Sequence, residues 1–354
     1  MSRFFSEKLA TLDPYTPGEQ PRDMVYIKLN TNESPYPPSP YAVKVIEGGE
    51  VSRLNLYSDP TARMLHEAIA SHYGISADRV IASNGSDEVL AFAFDAFASG
   101  KSLAFPDVTY GFYPVFANLF GIPYTTVPLD DTLTIRVEDY ATIDSTVVIA
   151  NPNAQTGTYL PLSKIEELVS QNRDRVVIVD EAYIDFGGES AIPLTDRYDN
   201  LLVVQTFSKS RNLAGARVGF AVGCADLIAD LNRIKYSFNP YNVNRLSMAA
   251  AAEAMKDEAY FNDCTQKVIE TRAFTAEALS KLGFTYPASM ANFILARTEK
   301  ISGKDLYQKL KSKGVLVRHL SDERITDSIR ITIGSKEQME TFIQKLTEIL
   351  EDLT

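Results

Sequence analysis

Lys209 lies in the stretch TFSKSRNLAGARVGF, residues 206–220, directly after the apolar run LLVVQ, with Ser208 and Ser210 on either side and Arg217 eight residues on. On its own, a loop lysine is ordinary solvated surface. Three other short runs rich in β-branched residues also end in polar chemistry. RVIAS leads into NGSDE, with Gly85, Ser86 and Asp87; STVVIA leads into Asn151 and Asn153; RVVIV leads into Asp180 and Tyr183. In an open parallel sheet the carboxyl ends of the strands converge, and ligands bind just outside them. A tight turn at Gly85, followed by the amides of Ser86 and Asp87 opening a helix, makes an anion site there. One amine, one acid, one amide, one phenol and a helix start at a common edge are more than separate structural roles require.

This set suits a particular chemistry. A lysine whose ammonium pKa is lowered by partial burial and by a neighbouring cation such as Arg217 can form a Schiff base with a carbonyl. A buried acid that stays ionised, Asp180, can keep a pyridine nitrogen protonated. Thr206, Ser208, Arg217 and the helix start supply donors for a phosphate dianion. Those three requirements together describe pyridoxal 5'-phosphate.

The elements that must position these residues can be read from the surrounding pattern. Short apolar strands alternate with amphipathic helices such as SDEVLAFAFDAFA and PLSKIEELVSQN, which is the signature of βαβ units and a mostly parallel sheet. From about residue 242 to 282 the pattern is helical and alanine-rich, as two helices or one long bent one. The remainder reads as strand NFILART, helix SGKDLYQKLKSKG closed by Gly314, strand VLVRHL, strand SIRITIG, and a last helix opened by the capping box from Ser335 to Gln338. The expected fold class is α/β: a large domain over residues 35–240 with a mostly parallel sheet flanked by helices, and a smaller α+β domain. The small domain takes residues 241–354 and the N-terminal arm, residues 1–34. The proline-rich segment NTNESPYPPSPY reads as a lid or a strap crossing to a partner.

Composition narrows the function. The chain has 354 residues, 45% of them hydrophobic, and a formal charge of −11, which argues against a nucleic-acid footprint or an anionic membrane surface. Cys224 and Cys264 are its only cysteines, so a reducing compartment is expected rather than a disulfide framework. The opening MSRFFSEKLA lacks the apolar core of a signal peptide, and the apolar stretch VLAFAFDAFA is too short to span a bilayer. The expectation is a cytoplasmic protein that binds neither nucleic acid nor membrane. SGKS at residues 99–102 runs from helix to strand and is a turn, not a phosphate loop. His66, His72 and His319 are too scattered for a metal site.

Through LNTNESPYPPSP, LYSDP, NGSDE, PDVTYGFYP, ANPNAQTG, VDEAYIDF, TFSKSRNLAGARVGF and IRITIG, the chain resembles the fold type I pyridoxal-phosphate aminotransferases. Within them it looks most like the histidinol-phosphate aminotransferase family. The resemblance implies that Lys209 carries the cofactor and moves the proton, and that Asp180 pairs with the ring nitrogen. It assigns Asn153 and Tyr183 to the ring hydroxyl, and Tyr110 to stacking on the ring. Gly85, Ser86, Asp87, Thr206, Ser208 and Arg217 would form the phosphate cup, with Tyr57 reaching in from the second subunit of a homodimer. Arg330 would hold the anionic end of the amino donor or of the oxo-acid acceptor, with Asn32 and Tyr36 of the arm beside it. Arg318 is the best second cation for a phosphate substrate, an ion pair with an acid such as Asp322 being the other reading.

Two departures stand out. Ala154 and Gln155 occupy positions where the family usually has asparagine and proline, so altered loop stiffness is expected. Ser34 stands where many members have asparagine, which bears on substrate choice. An aromatic or broad-range aminotransferase and a threonine-phosphate decarboxylase would share the same cofactor residues. A transcription regulator would need a DNA-binding extension, for which the motifs leave no room. A nicotinamide dehydrogenase would need a G-x-G-x-x-G turn, which does not occur.

Overall fold

The computed structural model describes residues 2–10 and 12–353. The chain enters through β1 (Ile27–Lys28) and then α1 (Pro40–Glu47) and α2 (Arg63–Tyr73). The large sheet is built from β2 (Val80–Ser83), β3 (Leu103–Pro106), β4 (Tyr124–Val127), β5 (Thr146–Ala150), β6 (Val177–Asp180), β7 (Leu201–Thr206) and β8 (Gly219–Val222). Helices α3 (Ser86–Ala98), α4 (Phe112–Phe120), α5 (Leu162–Ser170) and α6 (Ala225–Phe238) alternate with these strands.

The strand order is β2-β8-β7-β6-β5-β3-β4. Strands β4, β3, β5, β6 and β7 pair in parallel, while β8 runs antiparallel to both β7 and β2. The reversal of β8 leaves β2 pointing the same way as β7, so the turn after β2 opens at the same edge as Lys209. Strands β5, β6 and β7 are buried along their whole length, which is why they read as unbroken apolar runs.

Gly219, at the start of β8, packs directly on the start of α3: a Cβ there would overlap the amide nitrogen of Ser86. Only a residue without a side chain lets the antiparallel strand lie against that turn. The position of the helix start is thus fixed by the sheet itself.

Residues 242–282 form two helices, α7 (Arg245–Lys256) and α8 (Glu258–Lys281). Asp257 separates them: its carboxylate caps α8 by accepting from the Tyr260 amide, and it also accepts from Ser39 Oγ at 2.6 Å. Buried residues of α7 share the core that holds Leu65, Ile69, Val147 and Val203, so the core of the large body continues past residue 240. Helix α8 crosses to a second core around Phe293, Ile331 and Phe342.

That second core belongs to β9 (Phe293–Arg297), α9 (Gly303–Ser312), β10 (Val315–Leu316), β11 (Arg318–His319), β12 (Ser328–Thr332) and α10 (Lys336–Glu351). The capping box at Ser335 and Gln338 is present, and Gly314 follows α9 with φ +80. The run VLVRHL, expected as one strand, is two. Strand β10 pairs in parallel with β1, whereas β11 pairs antiparallel with β12, which continues to β9. Leu29 accounts for the break, because its amide donates to Leu316 O while its carbonyl accepts from Thr332 N. The arm is thereby wedged between the two short sheets. No helix among the described residues is long and apolar enough to cross a membrane.

Candidate active site

Lys209 follows β7 in a loop braced from both sides. Phe207 is fully buried, its amide donates to Val218 O, and its carbonyl accepts from Leu213 N. Ser210 hydrogen-bonds the Asp185 carboxylate. Arg211 donates to Ala254 O and stacks on Phe261, 3.7 Å from the ring centre. The amine itself donates to Thr31 O at 3.3 Å. Burial, helped by the Arg330 charge, brings its pKa down to about 8, against the opposing pull of Glu33 and Asp87.

Asp180 ends the neighbouring strand β6. Its carboxylate accepts from Tyr113 OH at 3.0 Å and from Ala182 N at 3.2 Å. Burial pushes its pKa up to about 7 despite the Tyr113 hydrogen bond. Tyr183, three residues on, is buried and accepts at its hydroxyl from Asn32 Nδ2 at 3.0 Å.

At the start of α3, the amides of Ser86 and Asp87 belong to the first turn and have no carbonyl four residues back to bond. Gly85 before them has φ 80 and ψ 159, a region essentially restricted to glycine. A Cβ on Gly85 would sit 2.5 Å from Arg217 Nη2. Arg217 reaches Ser208 Oγ at 3.5 Å and the Asp87 carboxylate at 3.3 Å. The other Asp87 oxygen accepts from Tyr110 OH at 2.7 Å. Two or three donors therefore surround one small space at a helix start.

On the opposite wall, β11 and β12 bring Arg318 and Arg330 together as a cross-strand pair. Arg330 donates to Gln155 Oε1 at 2.8 Å and, at 3.4 Å, to Ala154 O and Asn30 O. Arg318 does not pair with Asp322; it donates to Thr16 O and Pro17 O. Lys209, Asp180, Tyr183, Arg217, Arg318 and Arg330 all line one cavity of about 190 Å³. Arg330 Nε and Asn30 Oδ1, both at this cavity, find no hydrogen-bond partner among the described residues.

A family model, Aminotransferase class I and II, matches residues 25–346. The chain belongs to the class I and II aminotransferases. Two curated relatives are named histidinol-phosphate aminotransferase. That of Brachyspira hyodysenteriae is 50% identical over 354 residues, covering 99% of this chain and 100% of the relative. That of Pseudomonas putida is 50% identical over 348 residues, covering 98% and 100%. The crystal structure of histidinol-phosphate aminotransferase from Sinorhizobium meliloti in complex with pyridoxal-5'-phosphate superposes with a TM-score of 0.85. It is 22% identical and covers 92% of this chain and 91% of that one, a likeness that carries the fold.

Of the residues singled out in the sequence of this aminotransferase, Asn32, Ser86, Asp87, Tyr110, Asp180 and Tyr183 line the cavity, and so do Thr206, Ser208, Lys209, Arg217, Arg318 and Arg330. Gly85 lies behind Arg217. Two positions depart from expectation. Asn153 lies in the wall, not in the cavity: its amide donates to Val108 O and Thr156 Oγ1 and accepts from Thr109 Oγ1, so both its donors serve the loop. Tyr36 does not line the cavity; it packs against the second core with its ring near Lys267 of α8, whose Tyr260 hydrogen-bonds the next residue's carbonyl, Pro37 O. Tyr57, assigned to the cavity of a second subunit, does not line that of its own chain; it is 80% exposed and stacks on Tyr241.

Sequence reasoning passed over Tyr113, Tyr15 and Gln155. Tyr113 was visible within PDVTYGFYP, three residues after Tyr110 on the first turn of α4. Gln155 stood out as a departure, yet only the cavity reveals that its side chain meets Arg330. Tyr15, stacked on Phe112 at 4.4 Å, carried no signal beyond being aromatic.

Proposed function

We propose that this aminotransferase moves the amino group of L-histidinol phosphate to 2-oxoglutarate, giving imidazole acetol phosphate and glutamate, with pyridoxal 5'-phosphate as cofactor. The observation that carries this reading is the convergence of Lys209, Asp180 and the Gly85–Arg217 cup on one cavity, opposite two arginines. The names and full-length identity of the two curated relatives support the substrate, and with it a place in histidine biosynthesis.

The residues fit the cofactor. An amine with a lowered pKa, a buried carboxyl and a phosphate-sized group of donors occupy separate walls of the cavity, and the missing Cβ of Gly85 leaves the room that Arg217 uses. Bound there, pyridoxal phosphate supplies an electrophilic carbonyl carbon and a ring that accepts electron density.

Each residue then has a task. Asp180 is suited to the ring nitrogen, since a cation beside it favours its charged form and offsets the burial that otherwise raises its pKa. Tyr113 and the Ala182 amide keep the carboxylate oriented. Lys209, with a pKa of about 8, is partly free base near neutral pH, so it can take the proton from the substrate carbon and return it elsewhere. Arg217, Ser208, Thr206 and the α3 amides are assigned the phosphate. Tyr183, anchored by Asn32, is assigned the ring hydroxyl, and Tyr110 the ring face. Arg330, with Arg318 behind it, takes the anionic end of each substrate, bidentately where geometry allows. Two half-reactions on one site give ping-pong kinetics.

We further infer a cytoplasmic homodimer in which Tyr57 completes the partner's cavity. Supporting this, Tyr57 is exposed together with Val51, Leu54, Leu56 and Tyr241, an apolar surface of the kind that marks association.

A turnover panel tests the substrate. Purified, cofactor-loaded protein is given histidinol phosphate, aromatic amino acids or threonine phosphate with 2-oxoglutarate, and glutamate and carbon dioxide are measured. Histidinol phosphate should give the highest kcat/KM without carbon dioxide release. Faster turnover of an aromatic amino acid, or carbon dioxide from threonine phosphate, would overturn the assignment.

A further inference from the structure

Gln155 is held at the tip of a rigid loop and touches the residue that should grip the substrate. The loop after β5 is closed by Gly157 N donating to Asn153 O and Asn153 N donating to Thr158 O, both at 2.8 Å. Asn153 and Thr156 on either side of the tip are buried and bonded to each other. The tip itself is half-buried and reaches the cavity.

From this tip, Gln155 Oε1 accepts from Arg330 Nη1 at 2.8 Å, the shortest bond that guanidinium makes. The assignment of the amide follows from chemistry, because a guanidinium only donates and the oxygen must face it. Gln155 Nε2 is therefore turned away from Arg330, and among the described residues it has no hydrogen-bond partner. Gln155, which lines this cavity and a neighbouring one bordered by Asp107, Tyr110 and Ile325, thus keeps an unused pair of neutral N–H donors beside Arg330.

We propose that Gln155 is a specificity-determining residue for the transamination: its carbonyl aims Arg330 at the cavity, and its amide nitrogen donates to the anionic end of the substrate. This rests on the reading that Arg330 holds that end. A neutral clamp has a functional logic here. It fixes the guanidinium without cancelling its charge, so the full positive field stays available to a carboxylate in one half-reaction and a phosphate in the other. A carboxylate at the same position would hold Arg330 as well, but it would occupy the charge and repel both substrates, the dianion more strongly.

Two near-isosteric variants separate these effects. Gln155→Met keeps the bulk and removes both hydrogen-bonding functions, while Gln155→Glu keeps an acceptor and adds a charge. In the cofactor-loaded protein, kcat and KM are measured for histidinol phosphate and 2-oxoglutarate, along with the inhibition constant of glutarate, which has no reacting group. Gln155→Met should raise both KM values and the glutarate constant by about three- to tenfold, the effect of one lost hydrogen bond to a charged partner. Gln155→Glu should raise them by at least about tenfold, most for histidinol phosphate, and in both variants kcat should change far less than KM.

Unchanged KM and inhibition constants in both variants would overturn the proposal, as would a loss confined to kcat. If Gln155→Glu fails to take up cofactor, Gln155→Met alone decides. If the wild-type protein turns over some other amino donor, the assigned substrate fails while the glutarate measurement still tests Gln155.

Discussion

Arg318 and Arg330 stand directly opposite each other across the antiparallel pair β11–β12, with their side chains at one cavity. Two like charges in such register are ordinarily destabilising. Here each is bonded to carbonyl oxygens: Arg318 to Thr16 and Pro17, and Arg330 to Ala154 and Asn30 besides Gln155. Carbonyls hold the guanidinium groups without neutralising them, which leaves the pair ready for an anion.

That relationship predicts a graded mutant series. Arg330→Lys should lower kcat/KM for both substrates, since a point charge replaces a planar fork, and Arg330→Ala should lower it further, by about 2–5 kcal/mol. Arg318→Ala should cost more for histidinol phosphate than for 2-oxoglutarate, because the second cation matters most to the dianion. Steady-state kinetics on both substrates measures this, and equal losses would remove Arg318 from substrate choice.

Gly85→Ala should weaken the phosphate cup. The position has φ 80 and ψ 159, so any side chain adds roughly 1–3 kcal/mol of backbone strain, and the new methyl displaces Arg217. Cofactor titration followed by absorbance should give a weaker dissociation constant, and the cofactor-free protein should melt lower. Wild-type affinity would mean that the turn does not hold the phosphate.

The electrostatics of Asp180 predict opposite effects on rate and stability. Asp180→Asn removes the charge, so kcat should fall by about 2.7–4 kcal/mol of barrier, comparable to the loss of one oriented electrostatic partner. In the cofactor-free protein the folded pKa is raised to about 7 from 3.8, so the folded state binds more protons than the unfolded between those values. The resulting destabilisation is absent below pH 3.8, grows as pH rises, and is complete above about 7. Asp180→Asn should therefore raise the melting temperature of cofactor-free protein at pH 8 and give a smaller gain at pH 5. A lower melting temperature at both pH values would contradict the raised pKa of Asp180.

Lys209 has the mirror-image dependence. Its folded pKa of about 8 lies below the usual 10.5, so the cost of burying its charge is complete below pH 8 and is relieved as pH rises toward 10.5. Lys209→Met should stabilise cofactor-free protein at pH 7 and lose that advantage by pH 10, as thermal melts at the two values would record.

Much of this arrangement was legible because local chemistry and fold coincide at the strand ends. Asp180 ends a wholly buried strand, and Lys209 and Ser86 follow such strands closely, so the polar residue that closes an apolar run marks the sheet edge. Side-chain direction within a loop was not legible in the same way. Asn153 turns inward because Thr109, Thr156 and Val108 O, distant or local, satisfy its amide. Tyr36 is half-buried against the second core and near Lys267 of α8, more than two hundred residues on, and does not line the cavity. The break within VLVRHL likewise depends on Leu29, which the arm inserts from the far end of the chain. Gln155 was visible as an unusual residue, but its meeting with Arg330 requires β12 to be in place.

The central claim is that Lys209 is the amine that carries the cofactor. Cofactor-loaded protein is treated with borohydride, digested, and mapped by mass spectrometry for a pyridoxyl-phosphate adduct. The adduct should fall on the peptide containing Lys209 and vanish, together with turnover, in Lys209→Ala; an adduct on another lysine, or full activity in that variant, would contradict the account.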